Sequence, residues 1–229
     1  MKRTAGKAML HRHAGTLCGA AVAAVALLLA AGPVLAASVS LVVLKKDGRP
    51  LVGAVVTAEP ESGKAAPASP QKAVVDQLDL EFVPDVIVIP VGSVVSFPNS
   101  DQVSHQVYSF SPTHRFQLPL YRGQAHAPVV FDQPGIVTLG CNIHDNMAAY
   151  IVVTAAPFFG RTDDKGGWTI PNLPEGVYRI KLWHPLLKDP TTMLERPVRI
   201  GGGSNDVALK IEEVTRPAPL KGHPHSWDY

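Results

Sequence analysis

Gly135-Ile136-Val137-Thr138-Leu139-Gly140-Cys141-Asn142-Ile143-His144-Asp145-Asn146-Met147 joins an extended run to a loop. Val, Ile and Thr in the first part favour a strand. The loop puts a thiol, an imidazole and a thioether within the seven residues that follow. Two His and one Cys in a trigonal arrangement, with a weak axial Met, form the ligand set suited to a blue-copper electron-transfer centre. Cys141, His144 and Met147 therefore require one more histidine from elsewhere, and His105 is the candidate.

Working outward, Leu80, Phe82 and Val83 restore an apolar pattern after a polar stretch. Residues 86–90 and 94–97 then read as strands separated by Val91-Gly92-Ser93, and residues 149–153 as the strand that closes the metal loop. The segment Phe97-Pro98-Asn99-Ser100-Asp101-Gln102-Val103-Ser104-His105 precedes the candidate histidine. Together with Gly135 to Cys141, His144 and Met147, it resembles the cupredoxin family over about residues 80 to 154. In that family a strand ending in Phe-x-Asn leads to the first copper-ligating His. The spacing C-x2-H-x2-M is similar to that of short-loop members such as the amicyanins.

The resemblance implies one type 1 copper held by His105, Cys141, His144 and Met147, with Met147 as the long axial contact. It implies that Asn99 supplies a hydrogen bond tying the two ligand segments together. It also implies an electron port at the edge of His144, in an apolar patch for which Ile143 and Met147 are candidates, where redox protein partners dock transiently. Cys141 would bind as the thiolate, its pKa lowered by the metal. Taken singly the residues have plainer readings: Cys141 as a small buried hydrophobe, Met147 as core filler, each His as a surface residue. Their order and spacing between strands favour ligation. His114, His126 and His184 are expected to be solvated or hydrogen-bonded, and His223-Pro224-His225 could hold adventitious metal. Residues 108–128 are longer and less regular than a minimal cupredoxin needs, and are expected to cover one end of the site or to present a partner surface.

The flanks form a second pattern. Residues 39–44, the turn signal Asp47-Gly48-Arg49-Pro50, and residues 52–58 read as a β-hairpin. Downstream, Thr162-Asp163 to Gly167-Trp168 and Leu173-Pro174-Glu175-Gly176-Val177-Tyr178 contain tight turns around alternating strands. Asp163 and Asp164 read as turn formers, and Trp168 and Trp183 as core. Both stretches resemble the carboxypeptidase regulatory-like (transthyretin-like) β-sandwich.

The N-terminus has Lys2, Arg3, Lys7 and Arg12 before an apolar run from about Leu17 to Ala31, then small residues near Ala36. This is the three-part form of a secretory signal. The run is short for a membrane span, so no integral span is expected in the mature chain; Cys18 lies inside it and fits an acylation box poorly. Removal of this segment takes four basic and no acidic residues, turning the formal charge of +2 into −2. A chain so near neutrality, with no Lys/Arg cluster, gives no support for nucleic-acid binding. One cysteine then remains in an oxidising compartment, where a thiol is open to oxidation unless buried or liganded. No nucleotide-binding loop or H-E-x-x-H motif is present.

The expected fold is all-β: a Greek-key cupredoxin β-sandwich inserted into, or packed beside, a second, transthyretin-like β-sandwich. The expected organisation is a signal peptide (1–36), the opening hairpin of the second sandwich (37–60), a Pro/Ala/Ser-rich linker (61–72), the cupredoxin domain (73–156), the remainder of the second sandwich (157–212) and an irregular tail (213–229). The expected function is that of a periplasmic electron carrier and not an enzyme. Its rivals are a copper delivery or sensing protein and a structural sandwich with a vestigial metal site. Delivery would call for more thioethers than Met147 and Met193.

Overall fold

The computed structural model describes residues 37–62, 65–123, 126–201 and 205–212, and its regular elements are all strands. The expected signal segment with Cys18, and the tail with His223 and His225, lie outside the described residues. In chain order the strands are β1 (Ala37–Lys45), β2 (Val55–Pro60), β3 (Lys72–Val74), β4 (Asp76–Leu78), β5 (Glu81–Val83) and β6 (Val86–Pro90). Next come β7 (Ser93–Ser96), β8 (Tyr108–Ser111), β9 (His114–Gln117), β10 (Val129–Phe131), β11 (Gly135–Gly140) and β12 (Ala148–Thr154). The last are β13 (Phe158–Arg161), β14 (Gly167–Leu173), β15 (Gly176–Trp183), β16 (Leu194–Ile200) and β17 (Asn205–Ile211).

The sheet that positions the metal loop has the order β6-β12-β11-β8-β9. Successive side chains of a strand point to opposite faces, and here both faces are used. Ile89, Val137, Leu139, Ala149, Ile151 and Val153 join a core shared with Val95, Phe97 and Phe131. Val86 and Val152, with Val88, Ile136 and Tyr150 at the margin, join a different core. Burial on both faces is why β12 is a nearly unbroken apolar run instead of an alternating one. The first core is closed by the sheet β10-β7-β3.

The second core lies among β14-β1-β17 and β13-β2-β15-β16. In it β1 is antiparallel to β14 and parallel to β17, while β2 is antiparallel to β13 and to β15. Strands on either side of residues 61–157 therefore build these two sheets together. Trp183 is wholly buried in the core and donates through Nε1 to Pro190 O at 2.8 Å. Trp168 stands at the core margin. The two cores meet through β6 and β12, where the Tyr150 and Trp183 rings lie 5.0 Å apart and Arg161 Nη1 donates to Val86 O at 2.8 Å. Burial of Val86 and Val152, at about 1.5–3 kcal/mol each, outweighs one hydrogen bond worth about 1 kcal/mol net. Apolar packing dominates that junction.

The opening hairpin is a correction. The Asp47-Gly48 turn forms, with Gly48 at φ +83 and Lys45 N–H donating to Arg49 O at 2.8 Å. Yet β1 and β2 enter different sheets. Leu51 N–H donates to Val43 O at 2.9 Å, but the Val43 N–H goes to Gly166 O at 2.8 Å, and pairing stops at the single bridge Leu44↔Pro50. Thr162 then takes over: its hydroxyl accepts from Ala54 N–H at 2.8 Å and donates to Leu51 O at 2.6 Å, drawing the chain across to β2.

Candidate metal centre

The last rung between β11 and β12 is Gly140↔Ala148, so residues 141–147 form the loop that closes this pair. Within the loop, Met147 N–H donates to His144 O at 3.0 Å. Gly140 accommodates a close approach. A Cβ there would lie 2.7 Å from Cζ and Oη of Tyr108, whose ring crosses over the strand just before Cys141. Cys141 and Met147 are 3% and 2% exposed and belong to the same apolar cluster. His144 is half-buried, while Asn142, Ile143, Asp145 and Asn146 are exposed.

His105 arrives from the opposite side and is wholly buried. Its backbone is clamped to Tyr121 by two reciprocal bonds, each 2.9 Å. The structure brings three predicted residues together: His105 Nδ1 lies 3.0 Å from His144 Nδ1 and 3.9 Å from Cys141 Sγ, and His144 Nδ1 lies 3.8 Å from Cys141 Sγ. They make the candidate metal-holding cluster among the described residues. A first-row ion binds imidazole nitrogen at about 2.0–2.1 Å and thiolate at about 2.3 Å. Every separation is shorter than the sum of two such bonds, so one ion fits between all three donors without moving them. The donor set, two imidazoles and a thiolate, suits copper.

Asn99 is buried and polar, as a structural role requires, but it does something other than expected. Its Nδ2 donates to Val103 O at 3.0 Å and to Tyr121 O at 2.8 Å, and its Oδ1 accepts from Asp101 N–H at 3.0 Å. These bonds tie the His105 arm to itself and to the Tyr121 segment, not to the Cys141 loop.

One group was missed in the sequence, and a second was left undecided between core and site. Asp101 Oδ2 accepts from His105 Nε2 at 2.6 Å. Burial alone would raise the Asp101 carboxyl, but bonds from the Leu80 N–H, His105 and the Asp79 N–H hold it below the usual carboxylate range. Tyr121 is the other: besides its backbone bridge, its hydroxyl donates to Phe97 O and accepts from Gln77 Nε2. Burial pushes its phenol pKa up, against the bond from Gln77. The first part of the irregular stretch, residues 108–117, resolves into a β8–β9 hairpin at the sheet edge, and Tyr-Ser-Phe-Ser and His-Arg-Phe-Gln around Pro112-Thr113 were the available signal.

The remaining described histidines stay outside the cluster. His114 packs against Phe116 and Phe131, and His126 against Tyr121. His184 bonds Val52 O and the Leu186 N–H, and burial lowers its pKa to about 4, keeping it neutral. Burial, then the neighbouring His105, also lowers the His144 pKa below the ordinary imidazole value.

No family model and no curated protein matches the chain. Several solved structures are similar to part of it. A Cu-containing nitrite reductase from Thermus scotoductus SA-01 is 26% identical with TM-score 0.35, covering 42% of this chain; the match spans only 25% of the reductase. A purple cupredoxin from Nitrosopumilus maritimus is 22% identical with TM-score 0.33, covering 36% of this chain and 99% of its own. The reduced Cu(I) form of an amicyanin point variant is 22% identical with TM-score 0.34, covering 43% of this chain and 98% of its own.

Proposed function

We propose that this chain is an exported, periplasmic type 1 copper protein that carries single electrons between redox partners and is not itself an enzyme. The observation that carries the reading is the meeting of His105 Nδ1, His144 Nδ1 and Cys141 Sγ at 3.0, 3.8 and 3.9 Å, from two separate segments. The N-terminal signal pattern and the lone mature cysteine support export and a liganded thiol.

Bound copper would supply a one-electron Cu(II)/Cu(I) couple. The protein's part is to hold donors suited to both states without rearrangement. Cys141 as thiolate, with His105 and His144 through Nδ1, would hold the copper, and Met147, buried in the same apolar cluster as Cys141, is the further candidate ligand. Burial of His105 and Cys141 keeps water from that side of the site. His144 is half-buried and follows Ile143, which is 50% exposed, so its ring edge is the place for a partner to make transient apolar contact. Residues 73–156 form the copper domain in this reading, and residues 37–60 with 157–212 form the regulatory-like sandwich that presents it.

Purified protein given Cu(II) is expected to show an intense visible thiolate-to-copper band that bleaches with ascorbate and is missing in Cys141→Ser. A wild-type protein that binds copper without that band sinks the reading. A reversible voltammetric couple distinguishes carriage from storage.

A further inference from the structure

We propose that Asp101 is a positioning residue for the metal centre: its carboxylate locks His105 in the tautomer whose Nδ1 lone pair faces Cys141 and His144, and its charge biases bound copper toward Cu(II). The inference rests on the copper reading and extends it to a residue beyond the ligand set.

The geometry leaves His105 little choice. Its side chain is 0% exposed and that of Asp101 11%, with Nε2 and Oδ2 2.6 Å apart. An ionised carboxylate only accepts, so the Nε2 position carries the hydrogen; in the neutral ring Nδ1 then keeps its lone pair. The other tautomer would set an Nε2 lone pair against the carboxylate and aim an Nδ1 hydrogen at the cluster. Burial makes that arrangement costly.

Asp101 is itself fixed. Oδ1 accepts from Asp79 N–H at 2.7 Å, and Oδ2 accepts from Leu80 N–H at 3.0 Å as well as from His105. Those two donors belong to the turn between β4 and β5, where Asp79 and Leu80 have φ of +55 and +60. Positive φ at both central residues is the pattern that usually takes Asn-Gly, and it is uncommon for a residue such as Leu. The chain thus holds a strained turn with its N–H groups aimed at the carboxylate that backs His105. Carboxylates behind ligating histidines orient the ring and raise its basicity. A negative charge there favours the more highly charged ion, so the site should have a lower potential than it would without it.

The plainer explanation is that Asp101 only staples the turn. Three variants separate the two: Asp101→Asn, Asp101→Ala, and Asp101→Ala combined with Asp79→Asn and Leu80→Gly, which relieves the turn. In the copper-free wild type, histidine nitrogen NMR should show His105 protonated at Nε2; protonation at Nδ1 overturns the proposal. Asp101→Asn, which retains a carbonyl acceptor, should keep the tautomer and raise the potential. Asp101→Ala should lose the fixed tautomer, bind Cu(II) about 10- to 100-fold more weakly and raise the potential. The triple variant should regain melting temperature while affinity and potential stay shifted; if both return to wild-type values, Asp101 is a staple and the proposal fails. A wild type without the thiolate-to-copper band removes the copper reading and this inference with it. A wild type with the band, beside an unchanged Asp101→Ala, removes the inference alone.

Discussion

His105 and His144 reach the same point from segments held in opposite ways. The His105 arm is bonded at almost every step: Asn99 to Val103 O, Tyr121 O and the Asp101 N–H, Asp101 to His105, and the His105 backbone to Tyr121. The His144 arm is a seven-residue loop beyond the rung Gly140↔Ala148, with four exposed residues. One arm is organised by its own hydrogen bonds. The other is fixed mainly at its ends, by buried Cys141 and buried Met147. On the proposed electron-carrier reading the difference divides the labour: the buried arm would set the donor geometry, and the exposed arm would give a partner access to the same ion. Local openings concentrate where buried apolar contacts are few, so the outer arm is where binding should change dynamics most.

The largest test of this contrast is Asn99→Ala. It leaves Val103 O, Tyr121 O and the Asp101 N–H without their side-chain partner. Unsatisfied buried polar groups cost about 1–3 kcal/mol each, but Tyr121 O keeps the His105 N–H and the part-buried Val103 O and Asp101 N–H can find water, so a net loss of about 2 kcal/mol is expected. Denaturant unfolding measures it, and copper affinity should fall with it. A loss below about 1 kcal/mol, the worth of a single hydrogen bond, would mean that the inner arm is not organised by these bonds, and the comparison would break.

What could be read beforehand follows the same division. Cys141, His144 and Met147 are neighbours in sequence, so spacing alone placed them in one loop; His105 was singled out because the Phe97-x-Asn99 segment before it resembles the one that leads to the first ligand histidine in cupredoxins. Asp101 was passed over as one more polar residue before the histidine. Its role exists only because β4 and β5 bring Asp79 and Leu80 to it from over twenty residues away. Tyr121 could be read only as core or as near the site, since its bridge to His105 joins residues on either side of the β8–β9 hairpin. The misread hairpin at Asp47-Gly48 has the same origin: a turn signal fixes local chain reversal, but distant Gly166, which takes the Val43 N–H, and Thr162 decide which sheet receives the next strand.

Gly140→Ala asks whether the outer arm depends on its base. The added Cβ would meet the Tyr108 ring at 2.7 Å, and the contact is with the far end of a side chain. Overpacking of this kind costs about 1–3 kcal/mol, and the lower half of that range is expected because the ring can tilt. Tyr108→Ala in the same chain should recover most of the loss in melting temperature; no recovery would place the strain in the backbone of the Cys141 loop instead. Tyr121→Phe should cost less, about 1 kcal/mol, because it removes only the hydroxyl bonds to Phe97 O and Gln77 and leaves the backbone bridge to His105. Its copper spectrum should remain that of the wild type.

Asn146→Ala should do least to stability, within about 0.5 kcal/mol, as expected for an exposed substitution. It is also the most informative beside hydrogen exchange. Copper bound to the native state stabilises whatever must open to release it. If the outer arm gains its order from the ion, loading should slow amide exchange across residues 142–147 and leave residues 99–105, already held by Asn99 and Tyr121, almost unchanged. The same pattern should persist in Asn146→Ala, because the ordering comes from His144, Cys141 and Met147 and not from the exposed side chains between them. Equal slowing of both arms would show that they are one cooperative unit, with the inner arm no more organised in the copper-free protein than the outer.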